Sequence, residues 1–205
     1  MSVSVRRLRQ IEEMKKTILD AAGTLFYKNG YEETTLRKIA GLIDYNPATI
    51  YNYYKNKEEI FFALQGRAFQ KFYEEFDFYR TTKLKGKKCL RKMGEAYIEF
   101  GIQHKEDYEL MFIMREPMNV AEVIDPKWKV GAKNYELLKI VIAQCIEENS
   151  IRIKDVNIGA FMIWSAVHGM VSLYIMDRMK MIEGIEHAEL LEIAFQQFDE
   201  LLNRI

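Results

Sequence analysis

Proline stands only at positions 47, 117 and 126, so no ring interrupts the backbone from 127 to the last residue, 205. Proline inside a helix removes a hydrogen bond and clashes with the preceding turn, and the residues that fill this chain instead, Leu, Ile, Met, Glu, Lys and Ala, favour helix. Alternating Val-rich runs that would mark strands are absent. At 49% hydrophobic over 205 residues, the chain has the material for a sizeable core. The pattern predicts an all-α protein of about nine helices.

Ile11, Met14, Ile18, Ala22 and Leu25 follow the helical period, and Lys28-Asn29-Gly30 supplies a basic last turn and a glycine stop. Thr34 or Thr35 can cap a short second helix with Leu36, Ile39, Ala40 and Ile43 inward. Asn46 can cap a third, with Pro47 in the first position, where the missing N–H costs nothing, and with Ile50 and Tyr54 inward. Asn56 and Glu59 have capping-box spacing for a long fourth helix to about Tyr79. Further helices are expected over 89–103, 108–114, from Asp125-Pro126 to 149, over 155–181 and over 187–202.

Zero net charge hides an asymmetry. Residues 1–57 hold ten Lys/Arg against six Asp/Glu, a net +4, and the remaining residues hold twenty against twenty-four, a net −4. The basic end is where a polyanion would bind. Cys89 and Cys145 lie far apart in apolar helical patterns without CxxC spacing, and read as buried thiols of a reducing compartment. The basic start, followed by Glu12 and Glu13, lacks an apolar signal core, so a cytoplasmic location is expected. Ala160 to Met176 is apolar, yet short for a span and interrupted by Ser165, His168 and Ser172, so a buried helix is expected and no membrane.

Two short helices joined by a tight turn and braced by a preceding helix make a helix-turn-helix candidate. Ile18-Leu-Asp-Ala-Ala, Leu25-Phe26, Gly30-Tyr31, Thr34-Thr35, Ile39-Ala40, Thr49-Ile50-Tyr51, Tyr54 and Lys57-Glu58 together resemble the DNA-binding domain of the TetR family of transcriptional regulators. The sequence departs from the family pattern at Asp44, where glycine is usual, at Asn46 in place of a capping Ser, and at Ala48, where a second glycine is common.

The resemblance implies a DNA-binding domain over 1–68 and a sensing and dimerisation domain over 69–205 that forms a helical bundle. Within the first it implies phosphate contacts at Thr49, Tyr51, Tyr53 and Lys57. It places base contacts at Arg37, Pro47, Ala48 and Asn52, with Asn46 at the head of the reading helix. The chemistry suits these roles: Arg reads guanine, Asn reads adenine, and Pro or Ala meets a thymine methyl. Tyr51 and Tyr53 have packing as the lesser alternative, and Arg6, Arg7 and Arg9 form either an arm toward DNA or a solvated tail.

Trp164, His168 and Gly169 resemble a tryptophan, histidine and glycine motif of the family's C-terminal domain. With Tyr97, Phe100, Met111, Phe112, Met114, Tyr135 and Phe161 they form either an apolar pocket for a small-molecule effector or a filled core in which His168 is satisfied by a neighbour. The eighth helix is apolar all round and needs cover on every side. The resemblance supplies a second copy of the chain, packed as a four-helix bundle through Gly169, Met170, Leu173, Leu191, Ala194, Phe195, Phe198 and Leu202. The expected function is a homodimeric regulator of a roughly palindromic operator, released when an effector shifts the fourth helix. No enzyme is expected, because glycine-rich phosphate loops, GxSxG and HExxH are missing, and no cofactor or metal, because His104, His168 and His187 have no metal spacing. A sequence-indifferent DNA-binding protein, or a dimeric ligand-binding protein without DNA function, is the alternative.

Overall fold

The computed structural model describes residues 3–114 and 128–202. The order of elements is α1 (Val3–Glu33), α2 (Leu36–Leu42), α3 (Pro47–Ile50), α4 (Lys57–Thr81), α5 (Gly86–Gln103), α6 (Lys105–Tyr108), a π-helical turn (Glu109–Ile113), α7 (Trp128–Glu147), α8 (Val156–Ile175) and α9 (His187–Leu201). No strand occurs among the described residues. They fall into two compact units, one of residues 3–68 with 110–114, the other of 69–109 with 128–202.

In the first unit α2 packs on α1 and on α3. The anticipated glycine stop is a kink: Gly30 takes φ 78°, after which one more turn runs to Glu33. Only glycine enters that region freely. The helix also starts earlier than the periodicity suggested, at Val3 instead of Ile11, because Arg6 to Gln10 continue it with an exposed Arg9–Glu13 pair at 2.9 Å. The arginines thus ride on a helix, neither as an extended arm nor as a loose tail. Leu64 lies against Gly23 of α1, and Arg67 pairs with Asp20 at 2.5 Å, fixing the start of α4 along α1. Asn56 Oδ1 accepts from Glu59 N–H at 2.8 Å as a capping box requires, but the Glu59 carboxylate reaches back to Lys55 N–H, one residue before the expected place.

The second unit stacks α5 on α7, α8 and α9, with α8 against α7 and α9. Two glycines permit close approach of α5 to α9 and α8. A Cβ on Gly94 would stand 2.4 Å from the Phe195 ring of α9, and one on Gly101 would stand 2.3 Å from Val171 of α8. Asp155 caps α8, accepting from Asn157 N–H and Ile158 N–H. The helix stops at Ile175, six residues short of expectation, where Asp177 turns to φ 57°. The sixth helix begins at Lys105, ahead of its expected start at Tyr108, and the expected opening of α7 at Asp125-Pro126 lies outside the described residues. Cys89 and Cys145 are buried free thiols, and burial pushes the Cys145 thiol up to about 11.

Candidate functional site

The turn into α3 is built by two polar residues, one in a left-handed conformation and one acting as a cap. Asp44 takes φ 58°, a left-handed geometry that Asp tolerates better than larger residues. Asn46 then caps α3, Oδ1 accepting from Ala48 N–H at 2.9 Å, with Pro47 at the first helical position. The helix is only one turn long, but bonds from Asn52 N–H to Thr49 O and from Tyr54 N–H to Ile50 O carry the helical path on to Tyr54. Ile50 and Tyr54 are buried and anchor it, as Ile39 and Ala40 anchor α2. What remains outward is the candidate reading set. Arg37, Ala48, Tyr51 and Asn52 are exposed, and Pro47, Thr49 and Tyr53 are half-buried.

Lys57 differs from the rest of the set. Its Nζ donates to Tyr31 O at 2.8 Å and Glu32 O at 3.4 Å, and sits 4.0 Å from the centroid of the Tyr31 ring. The Tyr31 hydroxyl donates to Glu58 Oε1 at 3.1 Å, and burial with that carboxylate holds the phenol well above its ordinary range. The sequence pattern does not single out Tyr31 or Glu58 as site residues.

A second constellation lies in the core of the other unit. Trp164 Nε1 donates to the Tyr97 hydroxyl at 3.3 Å, and the Tyr97 and Tyr108 hydroxyls are 3.1 Å apart. Both reach His168 Nδ1, at 2.9 Å and 2.7 Å, and Ser172 Oγ lies 3.3 Å from Nε2. One direction of donation serves four of these five contacts: Trp164 to Tyr97, Tyr97 to Tyr108, Tyr108 to a neutral His168, and Nε2–H to Ser172. Burial enforces those protonation states. It raises the Tyr97 pKa well above the ordinary value and the Tyr108 pKa to about 12, and it lowers that of His168. Tyr108 and Ser172 were missed from the sequence, although Ser172 stands one helical turn beyond His168 on the same face.

Of the other expected pocket residues, Phe100 is buried beside this network against Phe72 and His104. Tyr135 meets the edge of Trp164 at 5.8 Å. Phe161 does not join them; it is 62% exposed on α8. Met111, buried, and the half-buried Phe112 and Met114 belong to the segment 110–114 of the first unit. His168 has partners on both ring nitrogens.

Comparison with known proteins decides what these two constellations belong to. Residues 18–64 match the family described as bacterial regulatory proteins, tetR family, and residues 90–198, about half of the chain, match the tetracyclin repressor-like C-terminal domain. The chain belongs to the TetR family. It is therefore a ligand-responsive, DNA-binding transcriptional regulator. It is 28% identical over 165 residues to the uncharacterized HTH-type transcriptional regulator YhgD of Bacillus subtilis (strain 168), covering 80% of this chain and 81% of that one. Over 48 residues it is 46% identical to IcaR of Staphylococcus epidermidis, the negative regulator of the biofilm operon icaADBC, covering 23% and 26% of the two chains. Among solved structures, the transcriptional regulator FadR from Bacillus subtilis, in complex with stearoyl-CoA, superposes with a TM-score of 0.75 at 21% identity, covering 93% of this chain and 98% of that one. At that identity the likeness is one of fold.

The surface left open on this TetR-family chain is apolar along α8. Ile158, Phe161, Met162 and Leu173, with Met176 just past its end, are exposed, and among the described residues no other element comes within 4 Å of where a Cβ on Gly169 would be. By length and composition α8 is long and apolar enough to cross a membrane. The eight residues expected at a subunit interface divide accordingly. Leu173 is 53% exposed, and Gly169, Met170, Ala194 and Phe198 are half-buried. Leu191, Phe195 and Leu202 lie in the chain's own core at 1%, 6% and 5% exposure. They are spent on that core, Phe195 by covering Gly94 of α5, so a second chain has little of them to touch.

Proposed function

We propose that the protein is a homodimeric repressor that reads a roughly palindromic operator through α3 and is released by a small-molecule effector. The observation that carries this reading is the division of α3, whose Ile50 and Tyr54 are buried while Ala48, Tyr51 and Asn52 stay exposed. Such a helix can enter a major groove without unfolding its support. Arg37, Pro47, Ala48 and Asn52 are assigned to base edges, and Thr49, Tyr51 and Tyr53 to phosphates. The two-fold pairing is assigned to the open apolar side of α8, Phe161 and Leu173 included, with Gly169 allowing close approach. The buried hydroxyls and imidazole around His168 offer polar ends within an aromatic surround, which fits an apolar effector bearing one polar group. The FadR neighbour was solved with stearoyl-CoA, so fatty acyl-CoA compounds belong in the first panel tested.

Enrichment of a random duplex pool by the full-length protein tests the reading. A palindromic consensus is expected, and Asn52→Ala should weaken it by about 1–3 kcal/mol while relaxing the preference at one position. Equal affinity for all sequences would favour a sequence-indifferent DNA-binding protein instead. Leu173→Glu should shift the protein to monomers and abolish tight operator binding; an unchanged dimer would remove α8 from the interface.

A further inference from the structure

We infer that Lys57 is a positioning residue: its ammonium fastens the start of α4 to the end of α1 and so sets where the reading head stands, instead of touching a DNA phosphate. The inference rests on the DNA-binding function and concerns how the head is held. The last carbonyls of a helix lack partners within it and carry the negative end of its dipole. At the end of α1 those carbonyls are occupied by the protein's own lysines. Lys57 takes Tyr31 O and Glu32 O, and Lys38 of α2 takes Glu33 O at 2.6 Å. Tyr31 O also accepts from Thr34 N–H at 3.2 Å, the link into α2. One cation thus joins α1, the α2 turn and α4, the elements that support α3.

The aromatic platform under the ammonium is rigid. Tyr31 stacks on Phe26 at 5.6 Å and meets the edge of Phe61 at 5.2 Å, while its hydroxyl donates to Glu58 at 3.1 Å. Lys57, Glu58 and Phe61 all stand on the first turns of α4, so one helix grips the same tyrosine by charge, hydrogen bond and ring. Turning Lys57 outward to a phosphate would give up its bonds to Tyr31 O and Glu32 O and an aromatic face at once.

The two roles give different salt dependence, since removing one ion pair with a phosphate lowers the slope of log affinity against log salt by about 0.9 on duplex DNA. The probes are the duplex that the wild-type chain enriches from a random pool and a random-sequence duplex of equal length, titrated by fluorescence anisotropy over a salt series. Lys57→Met is expected to weaken the enriched duplex about tenfold, the scale of one mismatched base pair, and to leave the random duplex and both slopes unchanged. Tyr31→Leu, which alters a buried side chain, should reproduce that pattern, and Lys57→Arg should restore wild-type behaviour. Should Lys57→Met fail to fold by circular dichroism, Tyr31→Phe, which removes only the bond to Glu58, carries the test with a loss of about threefold on the enriched duplex alone. Equal weakening of both duplexes with a shallower slope, or no weakening of either, overturns the inference. Failure of the wild type to enrich any duplex would instead count against the DNA-binding reading itself.

Discussion

The two units place their polar side chains oppositely. In the helix-turn-helix unit the apolar side chains of Phe26, Ile39, Ile50 and Phe61 turn inward, and Arg37, Asn52 and Tyr51 are left on the surface. In the second unit Tyr97 and Tyr108 are buried with their hydroxyls on His168, and Phe161 and Leu173 are left outside. An exposed polar set can exchange its water for DNA at little cost to the fold, whereas a buried polar set must be bonded internally or lose several bonds together. The first arrangement suits a rigid reader, the second a part whose state changes when a ligand offers other partners.

Breaking the aromatic anchor of the reader should give the largest effect. Phe61 is fully buried between Phe26 and Tyr31. Phe61→Ala should therefore cost about 3–5 kcal/mol, melt the first unit at lower temperature and remove DNA binding, while near-ultraviolet signals of the second unit persist. If both units melted together with unchanged cooperativity, the division into two units would be wrong.

Removal of the imidazole comes next. His168→Leu strands the Tyr108 hydroxyl, which donates to Nδ1, and should cost about 1–3 kcal/mol by denaturant unfolding, with operator affinity unaltered in effector-free protein. A pH series sharpens the same contrast. Burial lowers the His168 pKa below its ordinary 6.5, so the unfolded chain takes up the proton first. Stability should accordingly be full above that value, fall as pH drops from 6.5 toward the lower folded pKa, and level off beneath it. This loss should be absent in His168→Leu; an identical acid profile would place the titrating group elsewhere.

The smallest effect is expected at the cap of α3. Asn46→Ala removes the acceptor for Ala48 N–H and should cost about 1 kcal/mol, and Asn46→Ser should be nearly silent. A loss confined to DNA affinity, without any in thermal stability, would make Asn46 a DNA contact in place of a cap.

Much of the fold was legible because it is local. Helix periodicity, Asn46 before Pro47, Asp155 ahead of α8 and Asp44 at a left-handed turn depend on neighbours within a few residues, and the structure has each of them. Chain-wide placement was not. No local pattern brings Tyr97, Tyr108 and His168 onto one point, since they come from three elements and His168 lies 60 residues beyond Tyr108. Nor could periodicity separate the buried Leu191 and Phe195 from the exposed Leu173, because an apolar side chain fits its own core or another chain's equally well. Lys57 is the sharpest case: the family resemblance implies a phosphate contact there, and only the folding of α1 back to the start of α4 puts two carbonyls and a tyrosine ring within its reach. Sequence by itself determined which segments are helical and which residues cap them, through short-range sterics and hydrogen bonding. Tertiary structure alone decided what each side chain meets, since a lysine, a leucine or a histidine acquires its energetic role from the groups that packing brings to it.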